Sequence, residues 1–227
     1  MLTRAAQSRD VYFWEEPWFH NAADPESRGR AGGSLEFLQV EETRAVTVIR
    51  PHFNRGEDSI EGQRRLLNRF LSDRRLDCFD SWFYTPMALS FTAHLHPRVT
   101  VYDCMDELSA FLSAPRELNQ RENELFRVAD VIFTGGQSIY EAKRSKHPNV
   151  HAFPSSIDVS HFAQARTVQP DPSDQARIPH PRVGFFGVLD ERFDSALVAE
   201  VARLRPSVHF FFSAQSSRST QHTSPQR

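Results

Sequence analysis

Lysine is almost missing from this chain. Of its 27 basic residues all but Lys143 and Lys146 are arginine, and 29 acidic residues leave a formal net charge of −2. That balance removes the electrostatic case for nucleic acid or an anionic membrane as partner. Cysteine is equally scarce: Cys78 and Cys104 form no CxxC pair, which argues against a disulfide framework and suits a reducing, cytoplasmic setting. No apolar run approaches the roughly 18 residues of a membrane span. The opening Met1-Leu-Thr-Arg-Ala-Ala-Gln lacks the apolar core of a signal peptide. A complete GxGxxG, a Walker loop, a GxSxG elbow and an HExxH pair are all absent. His94-Leu-His96 has no third ligand at a metal-site spacing, so no metal is expected.

With 39% apolar and 25% charged residues, 227 positions make one large globular domain or two small ones. The informative stretch is 98–162. Arg98-Val-Thr-Val-Tyr-Asp103 and Asp130-Val-Ile-Phe-Thr134 read as strands, each followed by a helix, and Asn149-Val-His-Ala-Phe153 is a third strand closing on Pro154-Ser-Ser-Ile-Asp158. Strands alternating with helices at this pitch predict an α/β fold with a parallel sheet. Ligands of such sheets bind beyond the carboxyl ends of the strands. The loops at Asp103, Gly135 and Pro154 are therefore the candidate site.

Upstream, residues 2–8 read as a helix, Val11–Trp14 as a strand, 21–34 as a polar surface loop, and 35–40 with 45–50 as a hairpin or strand pair. Asp58-Ser-Ile-Glu61 resembles a capping box, opening a helix whose apolar stripe is Ile60, Leu67, Phe70 and Leu71. Asp80–Tyr84 is the next strand, and Thr85-Pro86 starts a helix. Helices are expected from Asp106 to about Leu112, from Pro115 to Val128, and after a Ser138-Ile-Tyr-Glu141 capping box. Residues 165–181 hold four prolines among polar residues and read as a linker. A second βαβ unit follows at 182–212: strand 183–189, a helix capped by Asp190 with Phe193, Leu197, Val201 and Leu204 on one face, and strand 208–212. Residues 213–227 are almost devoid of apolar side chains and are expected to be disordered.

Each candidate residue has two readings. Asp103, at a strand end, suits a general base or a hydroxyl-binding carboxylate. Asp106 and Glu107 suit the same chemistry or the cap and first turn of a helix. Gly135 and Gly136 let backbone approach a ligand at a helix end, or make a tight turn. Gly184 and Gly187 with Arg192 could hold a diphosphate, although Asp190 and Glu191 would repel it and Gly184 could serve packing alone.

Pro154-Ser-Ser-Ile-Asp158-Val-Ser-His-Phe162 resembles the element that closes the N-terminal domain of GT-B glycosyltransferases of the "glycosyl transferases group 1" family. The strand–Ser–helix pattern at 130–145 and the Gly184–Gly187 strand after a proline-rich linker are similar to its neighbouring elements. Tyr84-Thr-Pro-Met87, Tyr102-Asp-Cys-Met-Asp-Glu107 and Phe133-Thr-Gly-Gly136 together resemble a bacterial subset linked to surface polysaccharide. The resemblance, over residues 2–212, implies a Rossmann-like acceptor-side domain at 1–164, a linker at 165–181, an incomplete donor-binding domain at 182–212, and a tail at 213–227. It implies transfer of a sugar from a nucleotide-sugar co-substrate to a hydroxyl of a glycan or lipid-linked acceptor, without a cofactor or an obligatory metal, and with peripheral membrane contact left open. Asp103 and Asp106 would be catalytic. Gly135, Gly136, Ser155, Ser156 and Asp158 would touch substrate, and Gly184, Gly187 and Arg192 the donor phosphates. The family's donor-binding Glu segment has no counterpart, Val188 stands where a basic residue is common, and Met1 falls inside what resembles the first helix. A truncated, impaired enzyme is the expectation. The alternatives are a non-catalytic α/β binding module and, less well supported, another sugar-nucleotide enzyme such as an epimerase.

Overall fold

Proline sets the first break. Tyr12–Trp14 (β1) and Trp18–His20 (β2) lie along the same edge of Thr47–Asn54 (β4), in parallel registers Tyr12 with Thr47 and Trp18 with His52. They are one edge strand interrupted around Pro17, which has no N–H for the ladder. The sequence pattern anticipated β1 and missed β2. Glu36–Glu42 (β3) pairs antiparallel with the other edge of β4, which is the expected strand pair. The computed structural model describes residues 2–20, 36–43, 45–56, 59–112, 114–190 and 192–216. The anticipated loop at 21–34, the Asp58 cap, Glu191 and the tail beyond 216 lie outside these residues.

Leu2–Ala5 forms a single helical turn (α1), shorter than the expected 2–8. Ser59–Asp73 (α2) buries Gly62, Gln63, Leu66 and Phe70. This corrects the predicted stripe: Ile60 is 47% exposed, because the helix turns Gly62 toward β4. A Cβ on Gly62 would come within 2.4 Å of the Phe53 ring, so the missing side chain sets how closely helix and strand approach.

A second sheet has the order Ser81–Phe83 (β5), Thr100–Cys104 (β6), Val131–Thr134 (β7) and Val150–Ala152 (β8), every pair parallel. Alternation along the strands sends Phe83, Tyr102, Cys104 and Ile132 to one face. There they meet Leu125, Phe126 and Ala129 at the end of Leu118–Val128 (α4), and Leu89 of Leu89–Thr92 (α3), in a single apolar core. Ile139 of Gln137–Lys143 (α5) packs against the same core. Three expected helix starts differ. The segment from Asp106 forms only a 3-10 turn, Leu108–Ala110, and α4 begins at Leu118 rather than Pro115. Gly136, not Ser138, is the N-cap of α5; Ser138 lies inside the helix, where Glu141 accepts from Gln137 Nε2 at 2.8 Å.

The chain divides into two compact units after Ser155. In the second, Val159–Ala163 (α6) precedes the proline-rich stretch, which is held by Arg182: its guanidinium donates to Gln175 O at 2.9 Å and Asp171 Oδ2 at 2.6 Å. Arg182–Leu189 (β9) pairs parallel with His209–Ser216 (β10) across Ser195–Leu204 (α7), a βαβ unit. β10 runs four residues past the predicted end, through Ser213–Ser216, because the ladder with β9 continues to Leu189. The cap of α7 is Asp194, which accepts from Leu197 N at 2.8 Å, and not Asp190; Phe193 precedes the helix and packs on Phe185 and Phe212 instead. Among the described residues no helix is long and apolar enough to cross a membrane.

The core of the parallel sheet can be tested at Leu125, which is fully buried. Leu125→Ala should cost about 2–5 kcal/mol, the usual range for a large-to-small change in a packed core. Urea denaturation followed by circular dichroism measures it, and a shift within error of zero would contradict the packing described.

Candidate functional site

The carboxyl ends of β5, β6 and β7 bring two of the three anticipated loops, those at Asp103 and Gly135, together with the residue after β5. Tyr84 follows β5, Met105–Glu107 follows β6, and Gly135 follows β7. Asp103 is the penultimate residue of β6, on the sheet face opposite the core. It is only 8% exposed. One oxygen, Oδ2, accepts from the Trp82 indole Nε1–H at 3.2 Å. Oδ1 takes no hydrogen bond, and the carboxylate no ion pair, from the described residues. Burial raises the Asp103 pKa and the Trp82 bond only partly opposes this. Burial and the neighbouring Asp103 charge also raise that of the Tyr84 phenol. A carboxylate shielded from water with one open oxygen can bind a hydroxyl or take its proton.

Asp106 is exposed and caps nothing; the 3-10 turn starts from Glu107, whose side chain makes no cap bond. The backbone of this loop is nonetheless fixed. Gly135 N donates to Cys104 O at 2.9 Å, and a Cβ on Gly135 would lie 2.3 Å from Met105 O. The glycine is there because two loops touch. Gly136 is different: its backbone is extended and a Cβ would meet open space.

Behind the loops lies a charge cluster that sequence reasoning missed. Lys143 of α5 is 2% exposed, and its Nζ donates to both oxygens of Glu122 at 2.8 and 2.7 Å and to Glu107 Oε1 at 3.0 Å. Tyr102 OH also donates to Glu122, at 3.1 Å, and Ser109 to Glu107, at 2.7 Å. Burial would lower the Lys143 pKa, but the hydrogen bonds from Nζ to Glu122 and Glu107 outweigh it and raise it. For Glu107, burial is likewise outweighed by hydrogen bonds from Lys143 and Ser109, and the carboxyl stays below its ordinary value. The cluster ties α4, α5 and the loop after β6. The available signal was a lysine in a chain with only two of them, on the inner face of a helix.

Ser155 ends the first unit, and Ser156 and Asp158 open the second; all three are exposed. Asp158 caps α6, accepting from His161 N at 3.0 Å. In the second unit a Cβ on Gly184 would lie 2.5 Å from the Phe211 ring, so this glycine serves strand packing. Gly187 has φ +150°, a backbone that other residues rarely adopt. Arg192 is engaged by Asp190, with Nε at 3.0 Å from Oδ1 and Nη2 at 2.5 Å from Oδ2, which lowers the Asp190 pKa. Among the described residues no group of three His, Cys, Asp or Glu could hold a metal ion.

Parallel strands with helices between them, in each unit, define a Rossmann-like α/β protein. The particular likeness is to a GT-B glycosyltransferase: the fold resembles that of an alpha,alpha-trehalose-phosphate synthase (UDP-forming) from Burkholderia xenovorans, solved in complex with glucose-6-phosphate, with a TM-score of 0.50 at 15% identity. The match covers 91% of this chain and 61% of that one, so this chain spans less than two thirds of the structure it matches. No protein-family profile and no curated protein matches the sequence.

Two tests follow from this geometry. Lys143→Met leaves buried Glu122 with only the partly exposed Lys146, 3.9 Å away, as a cation and should cost about 3–5 kcal/mol, whereas Lys143→Met with Glu122→Leu should recover most of that loss. Denaturant midpoints of the single and double variants measure it, and strictly additive losses would show that the pair does not interact. Gly135→Ala should destabilise by about 1–3 kcal/mol through the Met105 contact, while Gly136→Ala should change thermal stability by less than about 0.5 kcal/mol. Equal effects of the two would remove the packing role given to Gly135.

Proposed function

We propose that this chain is built for glycosyl transfer, with Asp103 binding, and taking the proton from, a hydroxyl of the acceptor. The observation that carries the reading is the buried Asp103 carboxylate at a strand's carboxyl end, one oxygen held by Trp82 and the other open. The GT-B likeness supports the class of reaction, and because one fold hosts many activities the Asp103 site carries the assignment. In this reading the donor is a nucleotide sugar, used as co-substrate without a metal, and the acceptor is a glycan or lipid-linked sugar handled at the cytoplasmic side, with peripheral membrane contact. The group 1, surface-polysaccharide assignment rests on the ordered motifs at 84–87, 102–107, 133–136 and 154–162. Gly187 and Arg192 would face the donor phosphates only after Asp190 releases Arg192, while Gly184 is taken up by packing on Phe211.

That last requirement favours one alternative. An arginine already paired with its neighbour is a poor phosphate ligand, so a non-catalytic module that binds the acceptor alone is the second reading.

Incubation of the full chain with UDP-, GDP-, ADP- and dTDP-sugars, with simple acceptor sugars present, separates the two through release of nucleoside diphosphate. Under the transfer reading release occurs, and Asp103→Asn lowers it by about 10²–10⁴-fold. A base works deprotonated, so the rate should climb with pH at values above the ordinary carboxylate 3.8, displaced upward by burial. The same raised pKa means that the charged Asp103 costs stability, a cost absent at pH well below 3.8 and present as pH rises through the folded value. Asp103→Asn should therefore raise the melting temperature at neutral pH and not at acid pH. No release with any donor would overturn transfer by this chain and favour the binding module.

A further inference from the structure

The face of the β5–β8 sheet that carries Asp103 is lined with aromatic rings and, among the described residues, lacks a complete cover. Register sets the row: Trp82 lies beside Val101, Asp103 beside Phe133, and Phe133 beside His151. The Trp82 and Phe133 rings stack at 5.8 Å with an interplanar angle of 21°, and Phe153 continues the surface at 5.5 Å from Phe133. Trp82 is 43% exposed and Phe153 is 64% exposed. Parallel sheets are ordinarily covered on both faces, so open rings at the ligand-binding end call for an occupant.

The chemistry of the row selects one. The indole N–H is used by Asp103, which fixes the plane of the Trp82 ring and leaves its surface open. Beside it the second Asp103 oxygen is open to a donor. No basic side chain among the described residues pairs with Asp103, so a phosphate or carboxylate placed here would meet an uncompensated negative charge. A flat apolar face next to a hydroxyl-accepting anion matches a pyranose ring: its C–H face desolvates against the aromatic surface, and a rim hydroxyl makes a charge-assisted hydrogen bond.

We propose that Trp82, Phe133 and Phe153, with Asp103, form a stacking platform for an uncharged pyranose ring, one hydroxyl of which donates to Asp103 Oδ1. The proposal rests on the glycosyl-transfer reading for identifying that sugar as the acceptor; the binding itself requires no donor. The platform selects neutral sugars over their phosphates. His151, beside Phe133, has its Nε2 hydrogen-bonded to Asn149 Oδ1 at 2.7 Å.

The test uses the full chain and saturation-transfer NMR, with glucose, N-acetylglucosamine, maltose and cellobiose as neutral probes and glucose-6-phosphate as the charged one. At least one neutral probe should bind saturably, with transfer strongest at its ring C–H protons, and glucose should exceed glucose-6-phosphate. Phe153→Ala, at an exposed position, and Trp82→Ala should each weaken binding by about tenfold. Trp82→Phe keeps the stacking surface and should weaken it less, and circular dichroism checks that each variant is folded. Asp103→Asn should weaken binding several-fold while the fold persists. Absence of saturation transfer from every neutral probe, or transfer unchanged in folded Phe153→Ala, overturns the proposal. So does a dimer in light scattering that Phe153→Ala converts to monomer with no sugar binding by either form, which assigns the face to a second copy of this chain. Sugar binding without nucleoside diphosphate release keeps the platform and removes the transfer reading; release without sugar binding at these residues does the reverse.

Discussion

The buried ammonium of Lys143 holds together the elements on which the candidate site stands. It reaches from α5 to Glu122 on α4 and to Glu107 in the loop after β6, so three segments separated in sequence share one cation. Taking these charges out of water is costly, and the cost is offset in part by the Tyr102 OH and Ser109 hydrogen bonds to Glu122 and Glu107 and by Lys146 at 3.9 Å from Glu122. The gain from such a cluster is geometric. With Glu107 tethered, and Met105 O pressed against Gly135, the backbone just beyond Asp103 has little freedom. The Asp103 carboxylate is then aimed by a fixed strand end and a fixed indole rather than by a mobile loop.

The same sheet divides its labour by face. Residues that alternate toward α4 build the apolar core and carry the charge cluster at its rim. Residues that alternate the other way carry Asp103 and the aromatic row. Desolvation thus acts twice on one strand: it stabilises the core side through Tyr102, and it perturbs Asp103 on the other side, whose charge is raised in free energy by the shielding that makes it chemically useful. A group of this kind works against stability, and the core on the opposite face supplies the compensation.

Strand positions were readable because β-branched and aromatic runs between turn residues survive burial: β4 to β9 all fall where the pattern put them, within a few residues. β2 was missed because Trp18-Phe-His20 is too short to show alternation and follows a proline. Helix starts were read less well. Ser138 and Asp190 are good capping types, but the β7–α5 turn makes Gly136 the cap, and the Asp190–Arg192 pair delays α7 until Asp194. Asp103 was legible from its place at a strand end. The Trp82 partner and the Lys143 cluster were not, since both join residues 21 apart in sequence through a fold that spacing alone does not specify.

The glycines show why a motif can be right in place and wrong in cause. Gly135 and Gly184 stand where phosphate-binding glycines stand in related architectures, yet a side chain at the first would strike the Met105 carbonyl and at the second the Phe211 ring. Both are explained by packing before any ligand is invoked. Gly136 and Gly187 have space around them, and Gly187 alone needs its positive φ. Backbone approach to a ligand is therefore an argument for Gly136 and Gly187, while specificity in the proposed sugar site would come from side chains. The ones placed to supply it are Asp103, Trp82 and the aromatic rings beside them.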